Sequence, residues 1–148
     1  MADKRIDQLR DILAKAAARD EELGQALETF AADLLKELGV DDRPPVWAEI
    51  KAAKGEHQVN EHLVMQDGWL RGDLVLEVTP DAKFAISLRM STTKDGTHDV
   101  GMVKETSYSA IIDPPDEKDR AAVRKKLFER IFSTVESEVR HSVALPAG

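Results

Sequence analysis

The side chains of this chain best placed to do chemistry together are His62, Asp73 and Arg89. Each falls in a short run of alternating apolar and polar residues. Pairing those runs through their turn signals sets His62 opposite Asp73, and Asp73 opposite Arg89, with Arg71 and Glu77 flanking the row. A carboxylate between an imidazole and a guanidinium can orient a general base. The same row also reads as a solvated sheet face whose cross-strand ion pairs are worth about 0.2–1 kcal/mol each. Trp69 and Arg71 adjoin it, and Trp beside Arg is the composition of a binding hot spot, which favours partner binding over catalysis on this surface.

Glu61 is the other residue of note. The same register directs it among Val59, Leu63 and Leu74, where an unpaired carboxylate would be costly and would have the character of an acid–base residue. Unpaired buried acids are rare, so a bulge at Gly72 or exposure at a sheet edge is the preferred account. Among the histidines, His57 and His62 lie five apart on an expected strand and point to opposite faces, while His98 and His141 lack partners at ligand spacing. No metal or cofactor is therefore expected. Phosphate-binding loops, dinucleotide fingerprints, nucleophile elbows and zinc-protease motifs are absent, and the Arg71-Gly72-Asp73 tripeptide lies within an expected strand.

The stretch that must position these residues runs from His57 to Met90, three alternating runs joined by Asp67-Gly68 and by Thr79-Pro80-Asp81-Ala82-Lys83. It reads as an antiparallel meander. Asp67-Gly68 as a two-residue type I′ loop pairs Gln66 with Trp69 and Leu63 with Gly72, and the second turn, taken as symmetric, pairs Val78 with Phe84 and Leu74 with Leu88. His98 to Ile112 supplies one or two more strands after a turn at Asp95-Gly96, with Val100, Met102, Tyr108, Ala110 and Ile112 inward.

Upstream, Ile6, Leu9, Leu13, Ala16, Leu23, Leu27, Phe30 and Leu34 recur at spacings of three and four, a helical seam closed by Gly39. Asp20 and Gly24 interrupt it, so residues 3–39 form one bent helix or a pair, with the unbroken phase favouring one. The seam can pack on the chain's own sheet or serve a homodimer, and Ala16 with Asp20 favours the former. Residues 40–56 are a connector in which VWAEIKAAK is a short helix or a strand, its alanines and lysines favouring helix. Asp113 to Glu117 opens a helix over 114–142 with an apolar stripe through Val123, Leu127, Phe128, Ile131, Phe132, Val135 and Val139.

The expectation is one α+β domain over residues 1–148: a long N-terminal helix or helix pair, an antiparallel meander of four to five strands over 57–112, and a long amphipathic C-terminal helix packed on one sheet face. With 148 residues, no cysteine, a formal charge of −7 and a charged N-terminus, the chain reads as a cytoplasmic protein without membrane or general nucleic-acid affinity. The leading functional reading is a non-enzymatic protein-interaction module: an adaptor, an inhibitor, an immunity-type protein or a specialised chaperone. Its partner would be another protein, with a homodimer through the N-terminal helix as a possibility. Alternatives are a small-molecule binder with an apolar pocket between sheet and last helix, anchored by His57, Glu61 and Tyr108; an enzyme with His62 as base and Asp73 as orienter; and an acidic mimic of nucleic acid.

Overall fold

Apolar residues at every second position of two eleven-residue runs, and at every third or fourth position of two flanking runs, give a sheet with one apolar face and two helices to cover it. A computed structural model describes residues 2–40 and 43–143. The elements are α1 (Ala2–Glu37), β1 (His57–Gln58), β2 (Leu63–Gln66), β3 (Trp69–Thr79), β4 (Ala82–Thr92), β5 (His98–Met102), β6 (Ser109–Ile111) and α2 (Glu117–Ser142). The six strands form one antiparallel sheet in chain order. The fold is α+β, with more strands than the four or five expected.

Both helix ends follow from local chemistry. α1 is one helix without a break at Asp20, and it ends where Gly39 N donates to the Lys36 carbonyl and Val40 N to the Leu35 carbonyl, the paired bonds of a Schellman motif. At the start of α2 the Asp116 carboxylate accepts from Lys118 N at 2.8 Å. Pro114 and Pro115 precede that cap, so the helix begins at Glu117 rather than at residue 114, with Glu117 and Asp119 set against the helix dipole.

Two corrections concern the sheet's edge. Residues 57–65 are not one strand. Asn60 Oδ1 accepts from His62 N at 2.8 Å, and Val59 N donates to the Leu63 carbonyl, so the chain reverses and β1 folds back beside β2. Residues 46–54 are not helical either. Val46 accepts from Val75 N at 2.8 Å, Ala48 N donates to the Asp73 carbonyl at 2.9 Å, and Trp47 pairs with Leu74. Beyond Gly72 the edge of β3 has no β2 residue opposite it, and those backbone groups need partners more than this alanine-rich stretch needs to be helical. Gly72 is where the edge changes hands, and there is no bulge in its pairing. A Cβ there would lie 2.8 Å from Leu63 Cδ2 and 3.0 Å from the Trp47 ring, so the missing side chain admits both.

A third correction concerns register. Asp67 and Gly68 both have positive φ, as a type I′ loop requires, and β2 pairs with β3 as expected. The next turn is tighter than five residues: Thr79 pairs with Ala82 around Pro80-Asp81, and a bulge at Val78 precedes it. The pairing slides by two positions, so Leu74 faces Ile86, Gly72 faces Leu88, and Asp73 faces Ser87 rather than Arg89. An even slip moves partners along the strand without turning any side chain to the other face.

The inward face presents Leu70, Leu74, Leu76, Ile86, Leu88, Met90, Val100 and Met102 to both helices. Leu23, Leu27, Phe30 and Leu34 of α1 meet it beside Leu127, Ile131 and Val135 of α2, with the Phe30 and Phe128 rings 5.5 Å apart. Arg124 of α2 bridges to Asp33 of α1 at 2.9 Å. Trp47 Nε1 donates to Glu28 at 2.6 Å, fastening the connector to α1. Each fully buried leucine stabilises the fold by about 1.5–3 kcal/mol. Coverage stops at Asp20: Ile6, Leu9 and Leu13, in the same seam, are 46–70% exposed, and so is Ile12 on its border. The seam therefore packs on its own sheet only from Leu23 onward. Phe132, expected in the buried stripe of α2, is also exposed.

Two seam leucines should respond oppositely in urea unfolding. Leu27→Ala, fully buried, is expected to cost about 2–5 kcal/mol, and Leu13→Ala less than about 0.5 kcal/mol in the monomer. Equal losses would mean that the first half of α1 is covered. Gly72→Ala should cost about 1–3 kcal/mol, because a side chain there overlaps Leu63 and Trp47.

Candidate functional site

The face of the sheet turned away from the helices carries Trp69, Arg71 and Asp73 from β3 and Ser87 and Arg89 from β4. Strand alternation places them on one face, but their polar groups are engaged within the protein. Arg71 donates to Glu56 at 2.9 Å, across to the connector. Asp73 accepts from Ser87 Oγ at 2.8 Å. Arg89 lies over the Trp69 ring, 4.2 Å from its centre, and donates to the Thr106 carbonyl at 3.2 Å. Gly101 lets the β5–β6 loop come close to this face. It pairs with Arg89, and a Cβ would meet the Tyr108 carbonyl at 2.7 Å and stand 3.5 Å from Arg89 Nε.

The row His62–Asp73–Arg89 is therefore not assembled. His62 sits in the turn between β1 and β2, its Nδ1 3.3 Å from the Ala48 carbonyl, and Asp73 has neither His62 nor Arg89 as a partner. Glu61 is exposed in that turn, not set among leucines. The enzyme reading loses the contact that motivated it. The binding pair Trp69 and Arg71 shares a face, with the indole under Arg89 and the guanidinium bound to Glu56, so neither projects as an open anchor.

Two other imidazoles lie beside carboxylates: His57 Nε2 is 3.7 Å from the buried Asp20, and His98 is held more closely. Its Nδ1 is 2.7 Å from Asp113 Oδ2, its backbone N donates to Asp113 Oδ1 at 2.6 Å, and its Nε2 stands 3.6 Å from Glu22 of α1. Fifteen residues separate His98 from Asp113, a distance that local spacing does not reveal. The pair ties the start of β5 to the segment entering α2. A comparable fastening joins the β5–β6 loop to α2: Arg130 contacts Glu105 and lies 4.0 Å over the Tyr108 ring, and Glu105 raises its already high proton affinity. Among the described residues, no three His, Asp or Glu side chains are placed to hold a metal, and no helix is long and apolar enough to cross a membrane.

Among the described residues, the exposed large apolar side chains fall into two patches. One is the free stripe of α1, Ile6, Leu9, Ile12 and Leu13. The other is a groove of about 890 Å³ at the opposite end of that helix, between the end of α1, the start of the connector, the end of β3 and the last turns of α2. Val46, Val78, Phe132 and Val143, 49–62% exposed, line it with Leu38 and Val139. Local causes put them there: Pro44-Pro45 keeps Val46 extended, and the β-bulge turns Val78 out of the alternating pattern. Arg43, Glu77, Glu136 and Arg140 form its polar part. His57, Glu61 and Tyr108, the expected pocket anchors, do not line it. Sequence reasoning named Phe132 and Val139 as core and expected an apolar pocket between sheet and last helix with other anchors; the residues that line the groove are not legible in sequence, because only the packing of four separate segments brings them together.

The Glu56 carboxyl is held below its ordinary value, first by the Ala53 N–H and then by the Arg71 guanidinium. A group with a depressed folded value stabilises the fold above its unfolded value and loses that contribution as pH falls through the folded one. Glu56→Gln should therefore lower the urea midpoint near neutral pH, and the deficit should close as acid protonates the wild-type carboxylate. A deficit that persists unchanged in acid would show that Glu56 acts through packing instead.

No protein-family model, curated protein or solved structure matches this chain.

Proposed function

We propose that this chain is a non-enzymatic protein-interaction module, an adaptor, inhibitor, immunity-type protein or specialised chaperone, that engages another protein through the N-terminal half of α1. The observation that carries this reading is the free stripe. Ile6, Leu9, Ile12 and Leu13 project from a helix whose continuation is anchored in the core, and a contiguous apolar surface on a rigid support marks an interaction site. Anchorage lowers the entropic cost of docking, since the helix is already formed before it meets its partner. The polar sheet face contributes less, because its charged groups already have partners.

A second reading, a binder of apolar small molecules, is favoured by the groove: its volume is that of an ordinary ligand pocket, and its lining is mainly Leu, Val and Phe. In that reading Arg43, Glu77, Glu136 and Arg140 would meet the ligand's polar end.

The two readings separate under site-specific photo-crosslinking in the native host, with the probe at Gln8 beside the stripe. The interaction module gives a discrete polypeptide adduct that disappears when Leu9 and Leu13 become serine, while the melting temperature stays unchanged. No adduct at Gln8, together with a bound lipophilic molecule released on denaturation, would replace the first reading by the second.

A further inference from the structure

His98 stands between two carboxylates, and only one of its ring nitrogens has a hydrogen bond. On one side Asp113 accepts twice, its Oδ2 lying 2.7 Å from Nδ1 and its Oδ1 2.6 Å from the backbone N. An ionised carboxylate only accepts, so the ring proton sits on Nδ1. A neutral imidazole has no second proton, which leaves Nε2 as a bare lone pair. That atom is buried without a hydrogen-bond partner within the protein, and so is Oγ1 of Thr92, the residue directly opposite His98 on β4. The charged group that Nε2 faces is Glu22 of α1, whose Oε1 is 3.6 Å away and offers lone pairs of its own. Two acceptors thus confront each other with no donor between them.

What completes this arrangement has to be positive and small. A bridging water does not fit, since two hydrogen bonds of about 2.8 Å at a water's angle span roughly 4.4 Å. A metal ion needs three or four converging donors, and here Nε2 and one carboxylate converge. A proton on Nε2 fits. The imidazolium then donates from Nδ1 to Asp113 and from Nε2 to Glu22, whose side chain is 65% exposed and has room to close the gap. The other charged groups around the ring are turned elsewhere. Arg120 of α2 donates to the Pro114 carbonyl at 3.4 Å, and Arg124 donates to the Ile112 carbonyl at 3.2 Å and to Asp33 at 2.9 Å.

Glu22 is the last residue before Leu23, where burial of the α1 seam begins, so a bond to it fastens the helix at the root of its projecting half. From the other flank of the sheet, His57 of β1 stands 3.7 Å from Asp20, the buried carboxylate of the same turn, which Arg19 also contacts at 3.1 Å. Two of the chain's four histidines therefore face α1 carboxylates within one turn, and histidine is the side chain that ordinarily changes charge between about pH 5 and 8.

We propose that α1 is clasped to the body of the fold by a proton. Protonated His98 ties Glu22 of α1 to β5 and, through Asp113, to the segment entering α2; when the proton leaves Nε2, the Glu22 arm opens and the root of α1 loosens. His57 against Asp20 is a weaker second arm, because its imidazole is 70% exposed. The unfolded chain gives the ring neither acceptor, so the contribution to stability is full where the imidazole is protonated and is lost as pH rises. Carboxylates as a class lose their charge below about pH 4.5, which sets the lower limit of the clasp. The clasp concerns how α1 is held and does not depend on what the exposed stripe binds.

The test is NMR on the full chain between pH 5 and 8, following the ring nitrogens of His98 and the exchange protection of the Leu23–Gln25 amides, corrected for the intrinsic pH dependence of exchange. In wild type the neutral ring should carry its proton on Nδ1, and protection at the root of α1 should fall about two- to fivefold between pH 5.5 and 8. In Glu22→Ala, and in Glu22→Gln where an amide replaces the carboxylate, the His98 titration should move to lower pH by a comparable factor in proton affinity, and the protection should no longer follow it. Glu22 is exposed, so neither variant removes a core contact, and circular dichroism verifies the fold. A His98 titration identical in wild type and both variants would overturn the clasp, and so would a neutral ring protonated on Nε2. A shifted titration with unchanged protection in wild type would overturn it too, since the ring would then sense the Glu22 charge without holding the helix. None of these results bears on the adduct expected at Gln8, so the clasp and the interaction reading stand or fall separately.

Discussion

The structure depends on the continuity of α1. One apolar seam repeats from Ile6 to Leu34, yet the sheet and α2 extend far enough to cover it only from Leu23 onward. Because the helix runs unbroken through Asp20, the uncovered half projects beyond the core. Burial of Leu23, Leu27, Phe30 and Leu34 anchors it, and Glu28 and Asp33 tie the same segment to Trp47 and Arg124. The anchored half thereby sets where the connector and α2 lie, and with them the groove at the helix's far end.

The helix-free face of the sheet follows a different logic. Its alternating polar residues resemble a site in sequence, but each charged group ends beside a neighbour within the fold: Arg71 at Glu56, Asp73 at Ser87, and Arg89 over Trp69 with its buried Nε left without an acceptor. Such pairs at a partly exposed face add modestly to stability and leave little to offer a ligand. Gly101 shows how closely this face is packed, since a Cβ there would stand 2.7 Å from the Tyr108 carbonyl and push the β5–β6 loop away from β5.

Much of the architecture was legible in the chain. The α+β class, the two long helices, the Asp67-Gly68 hairpin with its register and the apolar identity of β3 and β4 follow from periodicity and turn chemistry, which act between residues close in sequence. The candidate site was far less legible. The tight turn with its bulge at Val78 slid the β3–β4 pairing by two positions: apart from Val78 itself it kept the side chains on their expected faces, and it exchanged the partner of Asp73. The Asx turn at Asn60 removed His62 and Glu61 from the sheet altogether. A site made of cross-strand partners is sensitive to such shifts, whereas an apolar face is not.

The sequence by itself determined the two long helices and the long strands β3 and β4, and which side of each is apolar, because those properties arise within a turn or two of chain; the short edge segments 46–54 and 57–62 took their form from the backbone groups they had to pair with. Tertiary structure decided which apolar surface is covered. Leu13 and Leu27 occupy equivalent positions of one seam, and Val135 and Phe132 sit on one stripe, yet in each pair one member is shielded and the other exposed. That difference depends on how far the six strands and the opposing helix reach, a quantity set by the whole packing and carried by no single stretch of the chain.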